Sequence, residues 1–138
     1  MAKKIFDETV LDGKYFEVHQ DWETPIPGFF VLESKRKIHS VGEFSEEEAE
    51  EFIRFLVKIR KAMKDILGID YVYLNQREDN LDYDFHLCIF PKYSWMPEKF
   101  GQRLHPNEVW AYARENMADE KTIKQVKEAA KKVRDYLN

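Results

Sequence analysis

The sequence predicts an α+β domain, an antiparallel sheet with helices to one side. Short strand-type segments stand before and after one long amphipathic helix, and two further helical patterns close the chain. Strands grouped along the chain and then followed by helices are typical of the α+β class. With 138 residues, of which 43% are hydrophobic, the chain is long enough to bury a core of its own. We therefore expect a single domain over residues 1–138.

Two strands are predicted in the first third of the chain. Residues 14–18 follow the turn signal Asp12-Gly13, and residues 29–32 form a continuous apolar run of the kind found in strands buried on both faces. Between them, residues 21–28 hold two prolines and a tryptophan, which predicts a loop. A basic cluster at residues 34–38 follows the second strand and is most simply a solvated turn.

A long helix is predicted to begin after Ser45. The Ser45 hydroxyl and Glu48 form a capping-box pattern, and Gly68 is a suitable C-terminal cap. Apolar residues recur at helical spacing between these caps and predict the core-facing stripe. They are Phe52, Leu56, Ile59, Met63 and Ile66.

The second half of the chain predicts a hairpin and two helices. Residues 69–74 form a strand pattern, residues 75–83 a polar connection, and a second strand begins at Asp84. Residues 96–105 are expected to be irregular, a short helix is expected from Pro106 to Met117, and Asp119 is expected to cap a last helix. The apolar face of that helix comprises Ile123, Val126, Ala130, Val133 and Leu137.

The second strand of this hairpin carries the chemistry. Asp84, His86 and Cys88 alternate with apolar residues and therefore share one face of the sheet, until Pro91 ends the ladder. The face is either a working surface or a solvated one with a packed histidine. A metal site built from these three residues and another histidine is a minor alternative, because neighbouring residues of one strand offer few ligands in reach of one ion. We predict no metal and no cofactor.

Composition excludes several classes of protein. The net charge of −4 lacks the basic excess of a general nucleic-acid binder. No apolar run approaches the length of a membrane span or of a signal peptide. One cysteine excludes an internal disulfide framework and fits a reducing compartment. We expect a cytoplasmic protein without a nucleic-acid or membrane partner.

The order of the motifs resembles the histidine triad family of nucleotide-binding proteins. Residues 27–32 (Pro-Gly-Phe-Phe-Val-Leu) resemble the family's Pro-Gly-His strand, and residues 34–37 with residues 44–48 resemble its basic turn and the helix start after it. Residues 84–92 resemble the triad strand, and residues 91–96 resemble the Pro-Arg-Tyr-x-Trp-Met continuation of a bacterial branch. The resemblance covers about residues 14–96, with a helical extension at about residues 106–137. It implies a histidine triad-like antiparallel sheet with a long helix and C-terminal helices.

The chain departs from the family pattern at four histidines. His86 matches the central, nucleophilic histidine, whereas Asp84 and Cys88 stand where the family has the first and third triad histidines. The histidine of the basic turn falls at Lys37, and that of the Pro-Gly-His strand falls at Phe29.

By this resemblance the chain is a hydrolase or nucleotidyltransferase acting at an α-phosphate. His86 would form a nucleotidyl-histidine intermediate on a dinucleoside polyphosphate or a nucleoside phosphoramidate. Lys37, Asn75 and Asn80 would hold phosphate, and Asp84 and Cys88 would flank the substrate. The family pattern also implies a homodimer with a continuous sheet, and the helix after Ser45 is the expected seam. The alternatives are a nucleotide-binding module with weakened catalysis and a zinc-binding structural domain.

Overall fold

The computed structural model describes residues 4–79 and 84–138. Within these two ranges the chain forms five strands and four α-helices, which confirms the α+β class. The strands are β1 (Thr9–Asp12), β2 (Phe16–Gln20), β3 (Phe30–Ser34), β4 (Val72–Gln76) and β5 (His86–Pro91). The helices are α1 (Glu46–Leu67), α2 (Trp95–Phe100), α3 (Pro106–Asn116) and α4 (Glu120–Leu137), and a 3-10 turn covers Val41–Glu43.

The strands form one antiparallel sheet in the order β1-β2-β3-β5-β4. Its register aligns Glu17 of β2 with Glu33 of β3, Glu33 with His86 of β5, and Cys88 of β5 with Asn75 of β4. Directly opposite residues of antiparallel strands project to the same face. These five side chains therefore share one face of the sheet, which we call the polar face.

The opposite face of the sheet packs against α1 and α4 and forms the main core. The strands contribute Phe16, Val18, Leu32, Leu87 and Ile89 to this core. The helices contribute Phe55, Ile59, Ala62, Met63, Ala130 and Val133. Alternation along the strands thus separates an apolar face from a polar one.

Helix α1 begins and ends as its sequence predicts. Ser45 Oγ accepts a hydrogen bond from the Glu48 amide at 3.1 Å, and the Glu48 carboxylate accepts one from the Ser45 amide at 2.8 Å. Gly68 ends the helix in the left-handed conformation at φ 67°. The predicted apolar stripe is wrong at Ile66, which is exposed. In that last turn Leu67, which is partly buried, packs against the core instead.

Two carboxylates of α1 attach the helix to the sheet. Arg36, in the turn after β3, donates two hydrogen bonds to Glu48 at 2.7 and 2.8 Å. Glu51 accepts from the amides of Lys14, Tyr15 and Phe16 at 3.1, 2.7 and 2.7 Å, at the turn between β1 and β2. Arg36, one residue of the basic cluster at residues 34–38, thus helps to attach α1 to the sheet.

Helices α2 and α3 cover one end of the polar face. A second apolar cluster forms there around Phe29 and Phe90, whose rings meet edge to face at 5.1 Å. Trp110 of α3 packs on both rings, with centroids 5.2 and 5.8 Å away. The other end of this face stays open to form a cleft.

Two elements differ from the sequence prediction. Strand β1 was not predicted, because four residues pairing with a register irregularity between Thr9 and Leu11 leave little alternation to detect. Helix α2 was expected to be irregular because of Pro97. That proline is its third residue, in the first turn, where a missing amide proton breaks no helical hydrogen bond. In the described parts of the chain, no helix has the length and apolar character to cross a membrane.

Candidate functional site

The open end of the polar face is a cleft of about 290 Å³. Its floor is formed by strands β2, β3 and β5, and its walls by the loop after β2 and by helix α3. The lining residues are His19, Asp21, Trp22, Glu23, Val31, Glu33, His86, Cys88, Trp110 and Arg114. Each of these five segments contributes at least one polar side chain to the lining.

His86 enters this cleft from the first position of β5. The ring is half-buried, and its Nδ1 lies 3.0 Å from the main-chain carbonyl of Asp84. A carbonyl oxygen only accepts hydrogen bonds, so the neutral ring carries its proton on Nδ1 and its lone pair on Nε2. This is the tautomer that an imidazole nucleophile acting through Nε2 requires.

A second histidine, His19, lines the same cleft as His86. It is buried at 2% exposure, and its Nδ1 donates to the Gln20 carbonyl at 2.8 Å. The ring stacks on Trp22 with centroids 3.6 Å apart and planes 1° apart, and Lys4 lies 4.3 Å above the Trp22 ring. Burial lowers the pKa of His19 to about 4. His19 is therefore neutral at pH 7.

Carboxylates surround the two histidines. Burial raises the pKa of Glu33, and the neighbouring Glu17 carboxylate raises it further. Glu33 Oε2 lies 3.8 Å from His19 Nε2. Asp21 and Glu23 stand at the rim.

Arg114 of α3 supplies positive charge at the rim of the cleft. Its guanidinium lies 3.7 Å from Asp21 and 3.4 Å from Glu23, and its Nε donates to Thr24 Oγ1 at 2.9 Å. The described lining residues thus include one arginine and three carboxylates, those of Asp21, Glu23 and Glu33. The cleft has an acidic excess.

Comparison with solved structures identifies the fold. A Hit-like protein involved in cell-cycle regulation from Bartonella henselae is similar at a TM-score of 0.63 and 20% identity, over 93% of this chain and 85% of that one. A hypothetical histidine triad nucleotide-binding protein from Sulfolobus tokodaii gives 0.65 and 16%, over 94% and 83%. A zinc-bound histidine triad family protein from Mycobacterium smegmatis gives 0.58 and 15%, over 98% and 89%.

The chain has the histidine triad fold. No protein-family model matches its sequence. No curated protein matches it either. The structural likeness, at 20% identity or less in these three cases, is a likeness of fold.

Within the histidine triad fold, three of the predicted site residues come together on β5 and just before it. His86 and Cys88 line the cleft, and Asp84 contacts His86 through its main chain while its side chain is exposed. Burial raises the pKa of the Cys88 thiol to about 12. Cys88 is therefore a protonated thiol, a weak hydrogen-bond donor where the family has an imidazole.

The other predicted phosphate contacts are dispersed. Lys37 is exposed in the turn after β3 and does not line the cleft. Asn75 is half-buried on the polar face opposite Cys88, one strand beyond the cleft lining. Asn80 lies outside the described residues.

Much of the cleft lining was not predicted from the sequence. His19 lies two residues after Glu17. Extending the predicted strand 14–18 by one residue would therefore have placed both side chains on the same face of the sheet. Arg114 and Trp110 carry no such signal, because only the packing of α3 brings them to the sheet.

Proposed function

We propose that the protein is a nucleotide hydrolase or nucleotidyltransferase acting at an α-phosphate, with His86 as the nucleophile. The observation that carries this proposal is the hydrogen bond from His86 Nδ1 to the Asp84 carbonyl, which makes Nε2 the basic nitrogen. His86 also stands at the central position of the triad-like strand of a histidine triad fold. One structural neighbour is named as a nucleotide-binding protein.

In the proposed reaction His86 Nε2 attacks the α-phosphorus of a dinucleoside polyphosphate or a nucleoside phosphoramidate. As the nitrogen–phosphorus bond forms, the bond to the leaving group breaks; that group is a nucleoside polyphosphate, or an amine that takes a proton from solvent. Water then attacks the same phosphorus and gives up a proton to solvent, which releases the nucleoside monophosphate and returns the lone pair to Nε2. The Asp84 carbonyl keeps the ring oriented throughout.

Arg114 is our preferred phosphate contact, since its guanidinium lines the cleft and can bind phosphate oxygens in pairs. Contacts of Lys37, Asn75 and Asn80 with substrate phosphate remain predictions. The half-buried indole of the wall residue Trp110 is our proposed neighbour of the base. The free thiol of Cys88 fits a reducing, cytoplasmic setting for this activity.

The second candidate is a nucleotide-binding module with weakened turnover. Its support is the pair of replacements beside His86: Cys88 is a protonated thiol, and Asp84 offers a carboxylate instead of an imidazole. A hydrolase of this type needs positive groups at the non-bridging oxygens, and the cleft has an acidic excess.

Intact-protein mass spectrometry after mixing with adenosine 5′-phosphoramidate separates the two candidates. The hydrolase predicts an adenylyl adduct and release of AMP, both lost in His86→Ala. His105→Ala is the matched control, because His105 is an exposed histidine at the start of α3, and it is expected to behave as wild type. AMP binding by calorimetry without adduct or turnover supports the module, whereas an adduct that persists in His86→Ala rules out His86 as the nucleophile.

We also propose a homodimer formed along β4 and α1. Strand β4 is an edge strand of the sheet, and its Leu74 is 53% exposed. Helix α1 presents Ile53, 55% exposed, and Val57. An uncovered edge strand beside exposed apolar side chains is a natural pairing surface.

Light scattering coupled to size-exclusion chromatography tests the dimer. Wild type is expected to elute at twice the chain mass, and Leu74→Lys at the chain mass. Tyr136→Lys, which changes an exposed large side chain on α4, is the control and should remain dimeric. A monomeric wild type overturns the proposal.

A further inference from the structure

We propose that Glu17, His19 and Glu33 bind a divalent transition-metal ion of the zinc type on the polar face of the sheet, where His19 and Glu33 line the cleft. The proposal does not depend on the proposed nucleotide chemistry, because it concerns the binding of the metal alone. It also differs from the metal alternative considered from the sequence, which used Asp84, His86 and Cys88.

The three side chains converge because of the sheet register. Glu17 and Glu33 are directly opposite on β2 and β3, and His19 follows Glu17 on the same face. One donor atom from each of the three lies within 4.8 Å of the other two. His19 Nε2 and Glu33 Oε2 are 3.8 Å apart. Two ligands of one tetrahedral zinc are roughly 3.3 Å apart, given bonds of about 2.0–2.1 Å, so a small movement of two half-buried glutamates completes the site.

His19 is already arranged as a metal ligand. Its Nδ1 proton is held by the Gln20 carbonyl, which leaves the lone pair on Nε2, and metal-bound histidines are oriented in this way by their second nitrogen. Nε2 is buried and has no hydrogen-bond partner among residues 4–79 and 84–138. A buried acceptor without a partner is costly, and a cation at this position would remove that cost.

A proton shared between His19 and Glu33 is the competing explanation. The distance of 3.8 Å between Nε2 and Oε2 is longer than a hydrogen bond allows. A shared proton would also leave the charge of Glu17 uncompensated opposite Glu33, whereas a dication neutralises both carboxylates.

The donor set selects the class of metal. Imidazole nitrogen suits zinc and other late transition metals, whereas magnesium prefers oxygen donors and retains water. Three protein ligands would leave a further coordination position, as in zinc sites that keep one position open. If the proposed function holds as well, that position is available to a phosphate oxygen.

Isothermal titration calorimetry with zinc chloride, on full-length protein stripped with a chelator, tests the site. We expect one zinc ion per chain, and magnesium chloride binding at least tenfold more weakly. Glu17→Gln and Glu33→Gln, which retain side-chain size, should each weaken zinc binding at least tenfold. His19→Ala should do the same, but removing a buried, stacked ring can unfold the chain, so the two glutamine variants decide the outcome.

Glu23→Gln is the matched control, because it removes one carboxylate from the same cleft without touching the three ligands. It should bind zinc within about threefold of wild type. Three results would overturn the proposal. They are no zinc binding by wild type, a loss of zinc affinity in Glu23→Gln as large as that in Glu17→Gln and Glu33→Gln, and zinc affinity unchanged in both Glu17→Gln and Glu33→Gln. Magnesium binding as tight as zinc binding would remove His19 from the ligand set. None of these readouts uses nucleotide, so failure here is distinct from failure of the proposed function.

Discussion

Glu51 is the residue whose removal should most clearly weaken the β1–β2 hairpin, which places His19 in the cleft. It is buried on α1, and its carboxylate accepts three main-chain hydrogen bonds from the β1–β2 turn at 2.7 to 3.1 Å. Glu51→Ala leaves these three amides without their acceptor. The amide of Phe16 is buried, which costs about 1–3 kcal/mol, and those nearer the surface can recover water at about 0.5–1 kcal/mol each.

The expected loss is therefore about 2–5 kcal/mol of the free energy of unfolding, a large share of the ~5–15 kcal/mol typical of a domain. With an m-value of about 2 kcal/mol/M, the urea midpoint should fall by about 1–2.5 M, as measured by circular dichroism. Glu51→Gln, which retains one acceptor oxygen, should lose less. Glu50→Ala, at an exposed neighbouring position of the same helix, should stay within about 0.5 kcal/mol of wild type. A Glu51→Ala midpoint equal to that of Glu50→Ala would refute the reasoning.

Three further predictions concern the supports of the sheet and the cleft. The Arg36 hydrogen bonds lower the pKa of Glu48 to about 2, from an ordinary value of 4.5. This stabilisation is complete above pH 4.5 and is lost as the pH falls towards 2, so unfolding free energies measured from pH 5 to pH 2 should decline less steeply in Glu48→Gln. Gly13→Ala should lower the melting temperature in calorimetry, because a Cβ at this position would lie 2.5 Å from the Phe55 ring. With its pKa near 12, the Cys88 thiol should react with Ellman's reagent at least about 100-fold more slowly in native protein than in urea, and equal rates would contradict its burial.

The elements with strong local signals were predictable from sequence. The capping box at Ser45 and the left-handed cap at Gly68 define α1, because such caps depend on residues within one turn of the helix end. Asp119 likewise begins α4 by accepting a hydrogen bond from the Thr122 amide at 2.8 Å. Alternation along residues 84–90 gave His86 and Cys88 a common face, since a period of two is a property of any extended chain.

Elements whose formation depends on distant partners were less predictable. Strand β1 consists of four residues and is recognisable by its pairing with β2. The basic cluster after β3 was interpreted as a solvated turn with Lys37 available to phosphate. In the structure, Arg36 instead donates a hydrogen bond to the Glu48 carboxylate of α1, and Lys35 forms an ion pair with Asp12 at 2.6 Å.

The sequence by itself determined that His86 stands alone at the centre of a triad-like strand, because that statement needs only the order of residues along one segment. What surrounds His86 was decided by the tertiary structure. The register of β2, β3 and β5 brings Glu33 opposite His86 and His19 into the same cleft, and the packing of α3 adds Arg114 from a distant part of the chain. A local pattern defines which way a side chain points, but its neighbours across a sheet depend on strand order and register, which no single segment encodes.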